Sequence, residues 1–297
     1  RIKEFETQFS PLKNLVQPRI KSIKLEVDLY PETNSFFASG TYILVNESEN
    51  PIDTILLKTG FDEKTSYSLS EENKLILSDR LMKVFAHKLE NSLAPKDSIQ
   101  LSFKVKNESN TLFERNSSVL KNGTFLKFDI LPRLGFPFQK EKKHPTDSTA
   151  TNNHYQAIDS DLIDVDVILS TNETQTALAN GVLQKEWKQD GRNYTQYKTE
   201  FPQKMGIAFN SGDYQVEKST WNDVKLEIYH NESHHYTIKN MMLGMKSALE
   251  YNSAHFSPYP HKELKIIEFP LSEGTYATLF GNTILTSEVR FGVNTKE

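Results

Sequence analysis

The stretch HNESHH at residues 230–235 gathers the side chains that a metal ion would use, with His230, Glu232 and His234 at alternate positions. Two imidazoles four residues apart on one helical face can share a zinc ion. The order here is H-x-E-x-H, which lacks the H-E-x-x-H placement that sets a glutamate beside metal-bound water. The stretch also joins an alternating segment to a helical one, so the two rings are expected on different faces of a solvated connector. His255 and His261 flank the turn holding Pro258 and Pro260 and read as ordinary turn residues. The acidic pairs Asp159/Asp161 and Asp164/Asp166 have the chemistry to bind a cation or to act as acid and base. Alternation sends Asp164 and Asp166 to the polar side of a strand, where a solvated face is the expectation. No G-x-S-x-G elbow, phosphate loop or dinucleotide fingerprint occurs. Taken alone, these residues supply no catalytic residue and no metal ligand set.

The elements that must position any site are mostly strands. From Ile20 to about Tyr229 the apolar period is two: Ile23, Leu25, Val27 and Leu29 in IKLEVDLY, then Ile99, Leu101, Phe103 and Val105. Ile163, Val165, Val167 and Leu169 repeat it, and Val224, Leu226 and Ile228 close the run. Such alternation predicts antiparallel sheet with one wet face. Turn signals fall between the runs, Asp190-Gly191 most clearly, between LQKEW and RNYTQYK. The stretch from Glu71 to Asp97 predicts short strands, and the polar residues 139–154 a mobile surface loop. At Ser233 the period changes: Ile238, Met241, Met242, Met245, Ala248 and Leu249 fall at offsets 0, 3, 4, 7, 10 and 11. This predicts an amphipathic helix with Ser233 as N-cap, stopped by Pro258 and Pro260, then a strand from Leu264 to Phe269.

Composition narrows the classes. With 37% hydrophobic and 25% charged residues the chain is a folded globular protein rather than a disordered one. A net charge of -4 with scattered basic residues argues against a nucleic-acid partner. The absence of cysteine excludes a disulfide framework and a thiolate zinc site. No apolar run approaches the roughly 18 residues of a membrane span. Seven N-x-S/T triplets, at Asn46, Asn107, Asn116, Asn122, Asn172, Asn193 and Asn231, could accept glycans, but chance in an Asn- and Ser-rich chain is the preferred reading. The chain opens on Arg1 and ends at Glu297 just after a strand-like segment, so it is expected to be a piece of a longer polypeptide.

The segments HFSPYPHKELKIIEFP and EGTYATLFGNTILTSE carry a resemblance to the zinc aminopeptidases of the aminopeptidase N type, the gluzincins. In that family a helix, a Tyr-Pro turn, a strand ending in proline, the substrate loop G-A-M-E-N and a strand ending in glutamate follow in this order. Here the helix is residues 234–255, the turn is Tyr259-Pro260, the strand runs from Leu264 to Pro270, and the closing strand ends at Glu288. IKSIKLEVDLYPETNSFFASGTYILVNESENPIDTILLKT, LAPKDSIQLSFKVK and ALANGVLQKEW resemble the family's amino-terminal saddle, so the likeness covers most of residues 20–290.

The resemblance implies a mainly β fold: a large antiparallel β saddle or sandwich over residues 1–215, then the first helix and strands of a truncated α+β thermolysin-like domain over residues 216–297. It implies that Gly274, Tyr276, Ala277, Thr278 and Leu279 line a peptide groove as an edge strand, with Asp129 near the saddle position that grips the substrate amine. Leu279 stands where the family's amine-binding glutamate would be, a departure that removes a charge-assisted contact. The family's F-P-C-x-D-E-P is reduced to Phe136-Pro137-Phe138. The zinc motif H-E-x-x-H and its distal glutamate do not occur in this sequence. The expectation is a fragment inactive alone, whose parent supplies zinc, the rest of the catalytic domain and a peptide substrate. LFGNTILTSE is closest to a bacterial variety joined to an ABC-type permease, which implies an extracytoplasmic position and permease segments as partners. The competing expectation is a non-catalytic peptidase-like interaction module. A carbohydrate-binding sandwich would need the helix and closing strands to pack elsewhere.

Overall fold

The computed structural model describes residues 10–12, 15–60, 64–108, 118–135, 162–271 and 276–292. Phe136 to Phe138, residues 139–154, Asn116, Asp159, Asp161 and Gly274 lie outside these. The alternating segments form the strands their period predicts. The largest sheet runs Val182–Gln189, Arg192–Lys198, Leu162–Asn172, Arg19–Tyr30, Ser35–Val45, Ser98–Asn107 and Lys64–Leu69, with Gln203–Lys204 pairing onto Leu162–Asn172. Ile23, Leu25, Val27, Leu29, Leu101 and Val105 all turn inward and are buried. Two four-stranded sheets pack with it. One comprises Arg133–Leu134, Ile52–Lys58, Val84–Leu93 and Asn73–Asp79; the other comprises Thr176–Ala179, Ala208–Gly212, Gly123–Lys127 and Val119–Leu120.

The fold is mainly β, but not antiparallel throughout. Arg19–Tyr30 lies parallel to Leu162–Asn172, with Leu25 opposite Val167. Parallel neighbours cannot be joined by a hairpin and need a long crossover, which the intervening strands provide. Between Glu71 and Asp97 the structure has two extended strands of 7 and 10 residues, longer than expected. Lys83, at φ +55°, closes the turn between them. Asp190 and Gly191 take φ +50° and +70°, which fits the hairpin read from the sequence.

Three of the N-x-S/T triplets fold into side-chain turns. In Asn46-Glu-Ser, Asn172-Glu-Thr and Asn231-Glu-Ser, the asparagine Oδ1 accepts from both the backbone N–H and the hydroxyl two residues on. These are Asx-turns, in which a side chain mimics a backbone turn. Asn46 is fully buried and its Nδ2 donates to Asn50 O and Leu93 O, so folding commits the atom a glycan would need.

The helix is Ile238–His255, starting after Thr237 rather than at Ser233. Ser233 is held by the Asx-turn of Asn231 and cannot cap the helix. Thr237 is the N-cap residue, but its hydroxyl donates to Arg290 O at 2.8 Å instead of capping. Ile238, Met245 and Leu249 are buried, whereas Ala248 is exposed. The helix connects strands of a five-stranded mixed sheet ordered Gln215–Trp221, Val224–His230, Glu263–Phe269, Thr283–Ser287 and Ala277–Phe280. Val224–His230, Glu263–Phe269 and Thr283–Ser287 are mutually parallel. Tyr229, Ile267, Phe269 and Leu285 from this sheet join the same apolar core as the saddle strands.

Candidate functional site

Among the described residues Ala277–Phe280 is the outer strand of the mixed sheet, paired with Thr283–Ser287 alone. A two-residue turn joins them. Its Gly281 has φ +54°, and a Cβ there would sit 2.4 Å from Gln203 Oε1. Buried Asn282 docks the turn onto the saddle by accepting from Gly181 N–H at 3.0 Å and donating to Gly181 O at 3.1 Å. Ser287 N–H donates to Tyr276 O at 2.9 Å. Antiparallel ladders alternate, so Thr278 and Phe280 pair inward while the N–H and C=O of Ala277 and Leu279 face the open edge. That is the backbone pattern of a strand able to receive another extended chain.

Phe280 packs against Phe128, ring centroids 6.2 Å apart and edge-on. Phe128 opens the short 3-10 turn Phe128–Ile130 that carries exposed Asp129. Phe128, the neighbour of Asp129, thus contacts the edge strand at Phe280, and alternation puts Thr278 on the same face as Phe280. Leu279 alternates to the other face and is 61% exposed, as is Tyr276 at 67%.

A second constellation lies at the carboxyl ends of the three parallel strands. His234 follows Val224–His230, Glu268 is the last residue but one of Glu263–Phe269, and Glu288 follows Thr283–Ser287. One ligand atom from each lies within 4.8 Å of the others. His234 Nδ1 is hydrogen-bonded to Glu268 Oε1. Asn231 N–H donates to Glu268 Oε2 at 2.8 Å, and Leu271 N–H to Glu288 Oε1 at 2.8 Å. Burial raises the Glu268 carboxyl pKa, against the lowering pull of the Asn231 N–H and His234. The three residues line a pocket of about 160 Å³ with Gly123 and Tyr214 of the saddle side and Pro270.

The expected solvated connector at residues 230–235 holds for exposed Glu232, Ser233 and His235 but not for His230 and His234. His230 is buried at a strand end, its Nδ1 against Asn231 O and its ring stacked on Phe291. His234 finds its partner 34 residues later, at a distance no local spacing reveals. Asp164 and Asp166 do lie on the wet side, and Asp166 pairs with Lys198 Nζ at 2.9 Å and with Gln196 Nε2 at 2.7 Å. His255 Nδ1 meets Tyr251 O, and His261 meets Glu200. The sequence reading also missed Lys265. It is buried, with Nζ donating to Gly181 O at 2.8 Å and Ala179 O at 3.2 Å, 4.4 Å from the Tyr197 ring centre. Burial pushes its pKa down to about 8, partly offset by Glu263 and Glu227.

The fold resembles that of an M1 zinc metallopeptidase. An M1 zinc metallopeptidase mutant from Deinococcus radiodurans bound to a Tyr-Ser-Ala substrate superposes with TM-score 0.65 at 13% identity, over 92% of this chain and 61% of that one. An M1 zinc metallopeptidase from Deinococcus radiodurans gives 0.62 at 12%, over 95% and 62%. A two-domain M1 mutant bound to L-arginine gives 0.63 at 12%, over 92% and 61%. The chain thus spans about 61% of the length of the M1 structures it resembles. No family model and no curated protein sequence matches it. A mainly β chain with several antiparallel sheets and a single α-helix among the described residues is consistent with the amino-terminal part of M1 peptidases. No helix among the described residues is long and apolar enough to cross a membrane.

The zinc centre of such peptidases, two histidines on one helix turn with a distal glutamate, does not fit the residues here. His234, Glu268 and Glu288 contain one histidine and come from three strand ends.

Proposed function

We propose that this chain is the amino-terminal, groove-lining part of an aminopeptidase-like zinc metallopeptidase and is not catalytic by itself. The observation that carries the reading is the open edge of Ala277–Phe280, set against the Asp129-bearing turn in an M1-like fold. Residues 1–215 form the saddle that caps the groove, and residues 216–297 begin the catalytic domain. A peptide adds to the open N–H and C=O groups of Ala277 and Leu279 as one more strand. Tyr276, Ala277, Thr278, Leu279 and, beyond the described residues, Gly274 line its path, and Asp129 draws its amino group. A zinc ion in the whole protein would be held by residues other than those of this chain and would supply Lewis-acid chemistry for the cleavage. The parent is of the bacterial kind joined to an ABC-type permease, with this part on the extracytoplasmic side.

The test is the protein expressed from its whole reading frame. Stoichiometric zinc and cleavage of aminoacyl substrates are expected; neither zinc nor cleavage would contradict the enzymatic half. Leu279→Glu in that protein is expected to increase the preference for free amino termini by at least ~10-fold through a charge-assisted contact. An unchanged preference shows that position 279 is not the amine-binding one. Leu279 also favours a second reading, a non-catalytic interaction module, because an exposed leucine at this position offers apolar contact without gripping an amine.

A further inference from the structure

The geometry points to a second metal site in this chain: His234, Glu268 and Glu288 bind one divalent transition-metal ion of the zinc or manganese class. The site is separate from the zinc motif of a peptidase and stands on this chain's residues alone. Failure of the peptidase reading leaves it intact.

Three observations converge. The first is the donor set. One imidazole nitrogen and two carboxylate oxygens lie within 4.8 Å of one another. Ligands of a tetrahedral zinc ion sit about 2.0–2.2 Å from it and hence about 3.3–3.6 Å apart, so side-chain movements of about an ångström, with His234 and Glu268 separating, close the set. Mixed nitrogen and carboxylate donors suit zinc, manganese or iron rather than calcium or magnesium, which take oxygen alone.

The second is orientation. Each carboxylate has one oxygen pinned by a backbone N–H, Glu268 Oε2 by Asn231 and Glu288 Oε1 by Leu271. The other Glu268 oxygen, Oε1, meets His234 Nδ1 at the shared centre. Metal sites commonly orient their ligands in this way, by hydrogen bonds from behind.

The third is placement and charge. The ligands stand at the carboxyl ends of three adjacent parallel strands, the end at which open mixed sheets bind ligands. The pocket they line gives an ion a way in and leaves room for water in the remaining positions. Two carboxylates face a single imidazole, which even when protonated neutralises only one of them. A divalent cation replacing the proton between His234 Nδ1 and Glu268 Oε1 removes the repulsion that is left.

The experiment uses the 297-residue chain, stripped with chelator and titrated with Zn²⁺ and, separately, Mn²⁺ against a competing chromophore, with thermal melting in parallel. One equivalent of either ion bound, with a rise in Tm, is expected. Glu288→Gln and His234→Gln, at the two half-exposed members, fold without the ion and bind it at least ~10-fold more weakly. His235→Gln, one residue outside the cluster, binds as the parent does. Absence of a stoichiometric site for either ion overturns the proposal. So does Glu288→Gln binding as tightly as the parent, or a site that accepts only Ca²⁺.

Discussion

Lys265 shows how far a single side chain can escape its sequence. ELKIIEF alternates charge with apolar residues and reads as a strand with a wet face, yet all seven residues of Glu263–Phe269 are buried. The saddle covers one side and the helix-bearing layer the other, so Glu263, Lys265 and Glu268 are enclosed by contacts that no local pattern encodes. The ammonium of Lys265 has a folded-state pKa near 8, below the unfolded value of 10.5. Between these values the unfolded chain holds more protons, so stability rises with pH; below about 8 both states are charged and the burial cost is present in full. The expected gain is up to about 1.4 kcal/mol per pH unit from pH 8 to about 9.5, read from urea melts. Lys265→Met should lose that slope while leaving Ala179 O without this donor. A parent and variant with equal slopes would show that the ammonium is better solvated than its position implies.

At the scale of elements, the strands were legible because one buried face imposes a strict period of two, as Ile163, Val165, Val167 and Leu169 demonstrate. The helix was legible in type but not in its start, since the Asx-turn at Asn231 competes for Ser233. Its exposed Ala248 shows the limit of counting apolar positions. Leu249→Ala is expected to cost roughly 2–4 kcal/mol, whereas Ala248→Lys stays within about 0.5 kcal/mol. Chemical denaturation separates the two, and equal costs would mean the helix is rotated. The edge strand gives a sharper test. Leu279→Pro deletes an outward N–H and spares the Thr278 pairing, so it should change stability by less than about 1 kcal/mol. Peptide binding, measured calorimetrically, should fall by at least ~10-fold, about the worth of one backbone hydrogen bond to an otherwise unpaired edge. Unaltered affinity would place the peptide elsewhere. The edge itself was readable only through a family likeness, because nothing in TYATLF marks which side is paired. His234, Glu268 and Glu288 went unread for a related reason: parallel strands align ends that lie far apart in sequence.

Taken as a whole molecule, the saddle and the mixed sheet share one core. Phe269 stacks on Phe125 with ring centroids 4.3 Å apart, and Tyr229, Ile267 and Leu285 extend the contact. Residues on either side of position 215 thus share one apolar core. Phe269→Ala is expected to cost about 3–5 kcal/mol and to lower the melting of the entire chain in one transition. Two separate transitions would mean that the layers fold alone. The central claim, that a peptide lies along the open edge of Ala277–Phe280 beside the Asp129 turn, is tested most directly by amide NMR of the chain titrated with a free tripeptide. Chemical-shift changes concentrated at Ala277, Leu279 and Asp129, saturating with one affinity, are the expected result. Saturable changes confined to other surfaces, or none at millimolar peptide, would contradict it.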